Sequence, residues 1–392
     1  MFLQIGLSVI IEKLVLIIVV VMSSLLIAMY ATFAERKVAA IMQDRRGPNR
    51  AGPFGLLQPV ADGLKLFFKE EIIPDFSSKF LFILGPCLAM LTAMMTGAVI
   101  PWGDKVHFFN RDISLQIADI NIGILYVFGV VSMGVYGIMI GSWASNNKFS
   151  LMGGLRAASQ IISYELAMGI ALIALLMSTG TLSLKEIVQQ QQEHWYSWNI
   201  LKQPLGFLIF LICSFAECNR TPFDLAEAEN ELIGGYHTEY SSMKLGFFLF
   251  AEYINMFLSS AVMVSLFFGG YDIPFVNDAA LAENIGTNWV ALIHAGLFLF
   301  KAACFLFLFM WVRWTIPRFR YDQLMNLGWK ILIPLSLGWF MLLAAFKLGQ
   351  DKGWNRVAVG VVGLAVLTFG AALLSAAAKV SARNREREGA MY

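Results

Sequence analysis

Carboxylates crowd the stretch Glu217-Cys-Asn-Arg-Thr-Pro-Phe-Asp-Leu-Ala-Glu-Ala-Glu-Asn-Glu231. Thr221 is placed to cap a helix whose first position is Pro222 and whose third is Asp224, a pattern that resembles a capping box. Asp224 thus has an ordinary structural task available, which is to answer the positive end of that helix. The task does not extend to Glu227, Glu229 and Glu231, which lie beyond the first turn. At the helical step of about 100° per residue, Asp224, Glu227 and Glu231 share one face and Glu229 points away. Carboxylates gathered on one face repel, and burial raises their pKa values toward neutrality. Such a cluster titrates as a unit and can hold or pass a proton near neutral pH. The competing reading is a solvated acidic loop. Against it, the charges lie between short apolar segments and run directly into Leu232-Ile-Gly-Gly235.

Further ionisable residues fall inside or beside apolar runs: Glu165, Glu252 and Lys301 within them, Glu35 and Glu217 at their ends. A charge at the centre of a membrane span costs roughly 2.5–3.5 kcal/mol on insertion scales, so these groups are expected to face partners or a wet cavity. One buried acid could be an isolated ion pair. Several on neighbouring segments favour a polar path. A basic stretch, Arg313-Trp-Thr-Ile-Pro-Arg-Phe-Arg-Tyr-Asp322, follows another apolar run; Arg318, Arg320 and Asp322 could line a docking surface or an anionic pocket, and Lys330 reads as a membrane anchor. Arg220 sits among the carboxylates. Cys87, Cys213, Cys218 and Cys304 are scattered without a C-x-x-C pair or histidines at ligand spacing, so they read as small buried hydrophobes. His294 lies alone in an apolar run. No metal or redox cofactor is indicated.

The elements that must position these groups are written in the composition. Of 392 residues 58% are hydrophobic and 14% charged, and the mean hydropathy is +0.66, whereas a soluble chain carries roughly 25% charged residues. The net charge of +2 gives no reason to expect nucleic acid. A helix crossing a ~30 Å hydrocarbon core needs about 20 apolar residues. Candidate spans are 14–33, 80–100, 122–143, 157–177, 205–216, 245–268, 289–311, 331–346 and 357–378. The fifth is short and must tilt or borrow flanking residues. Acidic Glu12 precedes the first, and no small-residue cleavage site follows it, so this segment reads as a retained span.

Lysine and arginine concentrate in the connections 35–79, 218–244 and 313–330, at Lys148 and Arg156, and in the tail at Lys379, Arg383, Arg385 and Arg387. That asymmetry predicts a periplasmic N-terminus and a cytoplasmic C-terminus. In the first cytoplasmic connection, Leu56, Leu57, Val60, Ala61, Leu64, Phe67 and Phe68 recur at helical spacing with Gln58, Asp62, Lys65 and Lys69 between them. This predicts an amphipathic helix lying in the membrane interface or covering other protein. Gly129, Gly134, Gly137 and Gly141 predict close helix packing. The fold class is therefore an all-α polytopic integral membrane protein with about nine transmembrane helices and an interfacial amphipathic helix.

Two long motifs carry a resemblance. Ala34-Glu-Arg-Lys37, Gln43-Asp-Arg-Arg-Gly-Pro-Asn49 and Gly55-Leu-Leu-Gln-Pro-Val-Ala-Asp-Gly-Leu-Lys65 resemble one signature of the NADH dehydrogenase subunit 1 family of respiratory complex I. Pro222-Phe-Asp-Leu-Ala-Glu-Ala-Glu-Asn-Glu-Leu-Ile-Gly-Gly235 resembles the other. Ser163-Tyr-Glu165, Ala251-Glu-Tyr253 and Ile316-Pro-Arg-Phe-Arg-Tyr-Asp-Gln-Leu-Met325 are similar to its recurrent stretches. The resemblance divides the chain into a membrane domain over 1–350 and an additional span with a basic tail over 351–392, which favours a bacterial inner-membrane protein.

The resemblance implies a membrane subunit of a proton-translocating NADH:quinone oxidoreductase, with ubiquinone or menaquinone as substrate and no metal or flavin of its own. It implies soluble partners carrying the terminal iron–sulfur cluster, small membrane subunits leading to antiporter-like pumping subunits, and contact with lipid. By similarity, Glu35, Arg36, Lys37, Arg45, Arg46, Asp62 and Lys65 line or support the quinone cavity. Glu165, Glu217, Asp224, Glu227, Glu229, Glu231 and Glu252 form the proton path, with Arg220, Arg313, Arg318, Arg320 and Asp322 in docking or support. A homologous component of a membrane-bound hydrogenase or another donor-linked dehydrogenase complex is the alternative. A secondary transporter would predict an internal repeat, and the two halves carry different loops.

Overall fold

The computed structural model describes residues 7–108, 111–192, 195–227, 229–274, 286–353, 360 and 363. Seven of the described helices are long and apolar enough to cross a membrane. They are α1 (Leu7–Met42), α3 (Lys79–Thr96), α4 (Gly123–Ala144), α5 (Lys148–Thr179), α10 (Ser242–Phe267), α11 (Thr287–Thr315) and the rod formed by α12 (Tyr321–Asn326), a π-helical turn (Leu327–Leu332) and α13 (Ile333–Asp351). After two short helices, α6 (Leu184–Gln191) and α7 (Asn199–Lys202), the expected segment 205–216 is the shorter apolar helix α8 (Pro204–Glu217). The candidate span 357–378 and the basic tail lie outside the described residues.

Several helices outrun their apolar cores. Helix α1 has 36 residues, about 54 Å at 1.5 Å per residue, so Glu35 and Arg36 ride on the same rigid rod as the membrane-embedded residues. Helix α8 departs the other way. Its 14 residues rise only about 21 Å, less than a ~30 Å hydrocarbon core. Its start is tied to the far end of α5, where Gln203 donates to the Ala174 carbonyl (3.3 Å) and to Ser178 Oγ (2.7 Å). The chain therefore leaves α8 at Glu217 while still deep in the protein. Irregular backbone at that depth is tolerable only where protein surrounds it, and Cys218, Asn219, Arg220, Phe223, Asp224, Leu225 and Ala226 are all buried.

Glycines set the closest helix approach. At Gly85 of α3 an added Cβ would sit 2.7 Å from the Gly141 Cα of α4, and at Gly137 it would sit 2.8 Å from the Ala89 nitrogen. Gly137 and Gly141 thus do the packing that the glycine pattern predicts, while a Cβ at Gly129 would meet nothing within 4 Å. Helix α10 is the most buried of the spans and packs on α3, α11 and α1.

The predicted amphipathic helix is α2 (Gln58–Phe68). Leu57, Val60, Leu64, Phe67 and Phe68 stand exposed along one side, and the other side meets α1 and α10. Ser242 Oγ donates to the Leu66 carbonyl (3.0 Å), and the Ile72 amide donates to Ser241 Oγ (3.1 Å). Lys244 Nζ pairs with Glu71 at 2.6 Å. The segment after α2 is thereby stapled to the first turn of α10. The sequence pattern gives no sign of a small antiparallel hairpin, β1 (Lys105–Phe108) with β2 (Arg111–Ser114). Asn288 at the start of α11 pins it by bonding both the amide and the carbonyl of His107 (2.8 and 2.9 Å).

Candidate functional site

Residues 221–227 do not form the helix that Thr221 and Pro222 predict; they fold as turns, and only Glu229–Leu232 (α9) is helical. Tertiary donors take over the carbonyls that a helix would have satisfied internally. The Gln160 amide of α5 donates to Ala216 O (2.8 Å) and Phe223 O (2.7 Å). The backbone amides of Phe319 and Tyr236 donate to Pro222 O (3.2 Å) and Ala226 O (3.3 Å).

With no helix there, the shared carboxylate face disappears as well. Asp224 is buried against Arg318 Nη2 at 2.6 Å. Glu231 is exposed and pairs with Arg156 of α5 at 2.7 Å. Glu227 is half-buried and adds its negative charge to the surroundings of both Asp224 and Glu252. Glu229 opens α9, and its side chain lies outside the described residues.

Glu35 is the hub near the C-terminal end of α1. It is buried; its Oε1 lies 2.5 Å from Arg313 Nη1, and its Oε2 accepts from the Tyr253 hydroxyl at 2.7 Å. Arg220 approaches the same Oε2 at 3.6 Å and lies 4.2 Å over the Tyr253 ring. One residue earlier in α10, Glu252 accepts from the buried Tyr236 hydroxyl at 2.9 Å. Adjacent positions on a helix diverge by about 100°, so Tyr253 and Glu252 face two sides of the same helix and join the Glu35 cluster to the Asp224 loop. Glu165 of α5 bonds Ser132 of α4.

Two cavities both open on Glu217, Cys218 and Asn255. The first reaches Thr96 and Val262 past largely apolar walls, and the second reaches Tyr236 and Glu252. Glu217 stands where they meet. Burial, reinforced by the Glu227 charge, pushes Asp224 up to about 6 against the pull of Arg318 and Arg313. Burial and the nearby Glu252 and Glu227 charges hold the Tyr236 hydroxyl above its ordinary range, which keeps it a donor.

The remaining expected residues separate from this network. Arg36 pairs with Asp62 of α2 at 2.6 Å and Lys65 approaches Asp62 at 3.7 Å, in a largely exposed group. Lys37 lies over the Phe33 ring, Arg45 bonds Gln43, and Arg46 is exposed. Arg220 and Arg313 belong to the buried network and the exposed Arg318 reaches it through buried Asp224, whereas Arg320 and Asp322 form an exposed pair. Tyr236, Tyr253, Asn255 and Ser132 carry no signal of their own in the sequence, while Gln160 shows only as a polar interruption of the span 157–177. Tyr253 stands in the Ala251-Glu-Tyr253 stretch; the others are neutral residues whose importance comes from their neighbours. Among the described residues no group of His, Cys, Asp or Glu could hold a metal ion.

A family model described as NADH dehydrogenase matches residues 14–344. An NADH-quinone oxidoreductase subunit of Cytophaga hutchinsonii is 65% identical over 334 residues, which is 85% of this chain and 96% of the relative. The corresponding protein of Flavobacterium johnsoniae is 63% identical over 342 residues, covering 87% and 97%. That of Leptospira biflexa is 47% identical over 338 residues, covering 84% and 92%.

Proposed function

Because this chain belongs to the NADH dehydrogenase family of complex I membrane subunits, we propose that it forms the membrane side of the quinone cavity and couples quinone reduction to proton translocation. The observation that carries the reading is the burial of Glu35, Asp224 and Glu252 in one network of tyrosine hydroxyls and guanidinium groups. Reduction of a quinone places negative charge and a demand for two protons in a cavity screened from water. In a low-dielectric setting that charge acts strongly on nearby carboxylates. Glu35 responds first, because it lies at the inner end of α1 beside the polar residues of α2. Asp224, Glu227 and Glu252 follow, and Glu217 and Glu165 carry the change into the bundle.

The exposed apolar side of α2 faces lipid, from which the quinone arrives. Soluble subunits bearing the terminal iron–sulfur cluster dock on the cytoplasmic side at Arg45, Arg46, Arg320 and Asp322. Small membrane subunits cover the side of α5 that carries Glu165. The chain lies in the bacterial inner membrane with its N-terminus periplasmic, and residues 351–392 add a span and a cytoplasmic tail to the membrane domain over 1–350.

The test is Glu252→Gln and Glu165→Gln in the assembled complex, reconstituted in vesicles. Quinone reduction coupled to proton uptake should fall by about 100-fold, the low end for a displaced proton-transfer group. Parental rates and parental pumping in both variants would remove the proposal.

A further inference from the structure

Arg220 is the most enclosed guanidinium of the site and the one least firmly held. The residue is 5% exposed. Its nearest carboxylate oxygen, Glu35 Oε2, lies at 3.6 Å and is already bonded by the Tyr253 hydroxyl, while Arg313 takes Oε1. Among the described residues Arg220 Nε and Nη2 have no hydrogen-bond partner. A guanidinium offers five N–H donors in a rigid fork, and Arg318, by contrast, places one of them 2.6 Å from Asp224.

What holds Arg220 is the Tyr253 ring, 4.2 Å from its Cζ, and the charge around it. Glu35 on α1, Glu252 on α10 and Glu227 in the loop all act on it, and Cys218 is its neighbour on the loop. Tyr253 bonds Glu35 directly, and Glu252 precedes Tyr253 on α10, where successive side chains diverge by about 100°. A planar cation stacked on an aromatic face can slide across it and keep the stacking energy. Its position is therefore decided by which neighbouring carboxylate is ionised.

We propose that Arg220 is a charge switch between the quinone-side carboxylate Glu35 and the path-side carboxylates Glu252 and Glu227. In one position the guanidinium rests toward Glu35, the side on which it lies here at 3.6 Å from Oε2. When Glu35 takes a proton, the attraction from that side ends, and Arg220 shifts across the Tyr253 ring toward Glu252 and Glu227. Its arrival favours their ionised forms, so one proton leaves that pair for the cavity shared by Glu217, Cys218 and Asn255. One proton is bound and one is released, and Arg220 stays protonated throughout. The inference rests on the coupling role proposed above and names the moving part, a two-state element that both ends bias.

The experiment uses the whole complex in vesicles, with Arg220→Gln, Arg220→Lys and, as reference, Glu252→Gln. Quinone reduction, protons moved per electron and the pH profile are read on the same preparations. Arg220→Gln should lose most of the protons moved per electron and flatten the pH dependence of the rate. Arg220→Lys keeps the charge without the stacking plane or the fork; it should assemble and reduce quinone, with protons per electron still well below the parent. If Arg220→Lys pumps at the parental ratio, a fixed point charge suffices and the switch is overturned. That result also decides the matter should Arg220→Gln fail to assemble. If Arg220→Gln keeps the parental ratio and pH profile while Glu252→Gln loses pumping, the switch fails and the coupling role stands. Parental pumping in all three variants would overturn both.

Discussion

Asp224 shows how one carboxyl is brought near neutrality by competing forces. Burial and Glu227 push it up from an ordinary 3.8 to about 6, while Arg318 and Arg313 pull the other way. With the folded value above the unfolded one, its contribution to stability is fully present below about pH 4 and is lost as pH rises through about 6. The pH profile of quinone reduction should therefore carry an inflection near pH 6 that vanishes in Asp224→Asn. In Arg318→Gln the inflection should move upward, because the neutralising partner is gone. An unchanged profile in both variants would detach Asp224 from the reaction. Tyr236 makes a second argument at this scale. Tyr236→Phe keeps the ring but strips the buried Glu252 carboxylate of a 2.9 Å hydrogen bond. Leaving such a group unsatisfied costs about 1–3 kcal/mol. Thermal unfolding in detergent should record a lowered midpoint, and coupled turnover should drop without loss of the chain from the complex.

Among the elements, the crossing of α3 and α4 leaves little room for change. The two helices approach backbone to backbone at Gly85, Gly137 and Gly141, and in lipid such close packing is a main source of helix association. Gly137→Val must push the helices apart, since its Cβ would fall 2.8 Å from the Ala89 nitrogen. A loss of about 1–3 kcal/mol or more is expected, read as reduced yield of folded protein; Gly129→Ala on the same helix should be neutral, because nothing lies near it. The end of α10 is secured differently. Lys301 of α11 donates to the carbonyls of Phe268, Gly270 and Asp272 at 2.8–3.0 Å and lies over Trp198. This explains a lysine inside an apolar helix, since its ammonium satisfies carbonyls that the end of α10 leaves unpaired. Lys301→Met should raise amide hydrogen exchange over 262–270 while leaving the inner half of α10 protected.

For the molecule as a whole, both ends of α10 are tied down, by Lys244 and the serines at 241 and 242 on one side and by Lys301 on the other. Glu252 and Tyr253 therefore sit on a rod whose position α2 and α11 both determine. The distribution of lysine and arginine predicts which surfaces meet which compartment. A cysteine placed at position 112 of the hairpin should react with a membrane-impermeant thiol reagent added to whole cells. One placed at position 45 should react only after the cells are opened. The reverse pattern would invert the orientation.

The spans were legible because they answer to a local rule: about twenty apolar residues satisfy the bilayer whatever their neighbours are. The amphipathic helix α2 was legible from apolar residues recurring at helical spacing, and the buried acids announced themselves by their cost in lipid. The loop after α8 was not legible. Thr221, Pro222 and Asp224 carry every local sign of a helix start, yet Gln160, Phe319 and Tyr236 supply the hydrogen bonds instead. Their distance along the chain hides them from any pattern read locally. The same holds for the division of the charged residues. Arg318 and Arg320 look equivalent in sequence, but one meets a buried aspartate and the other an exposed one. Residue type and spacing determined that charge would be held inside the membrane. Which charges face one another was decided by how the helices pack, because electrostatic energy depends on distance and burial, and neither is set by position in the chain.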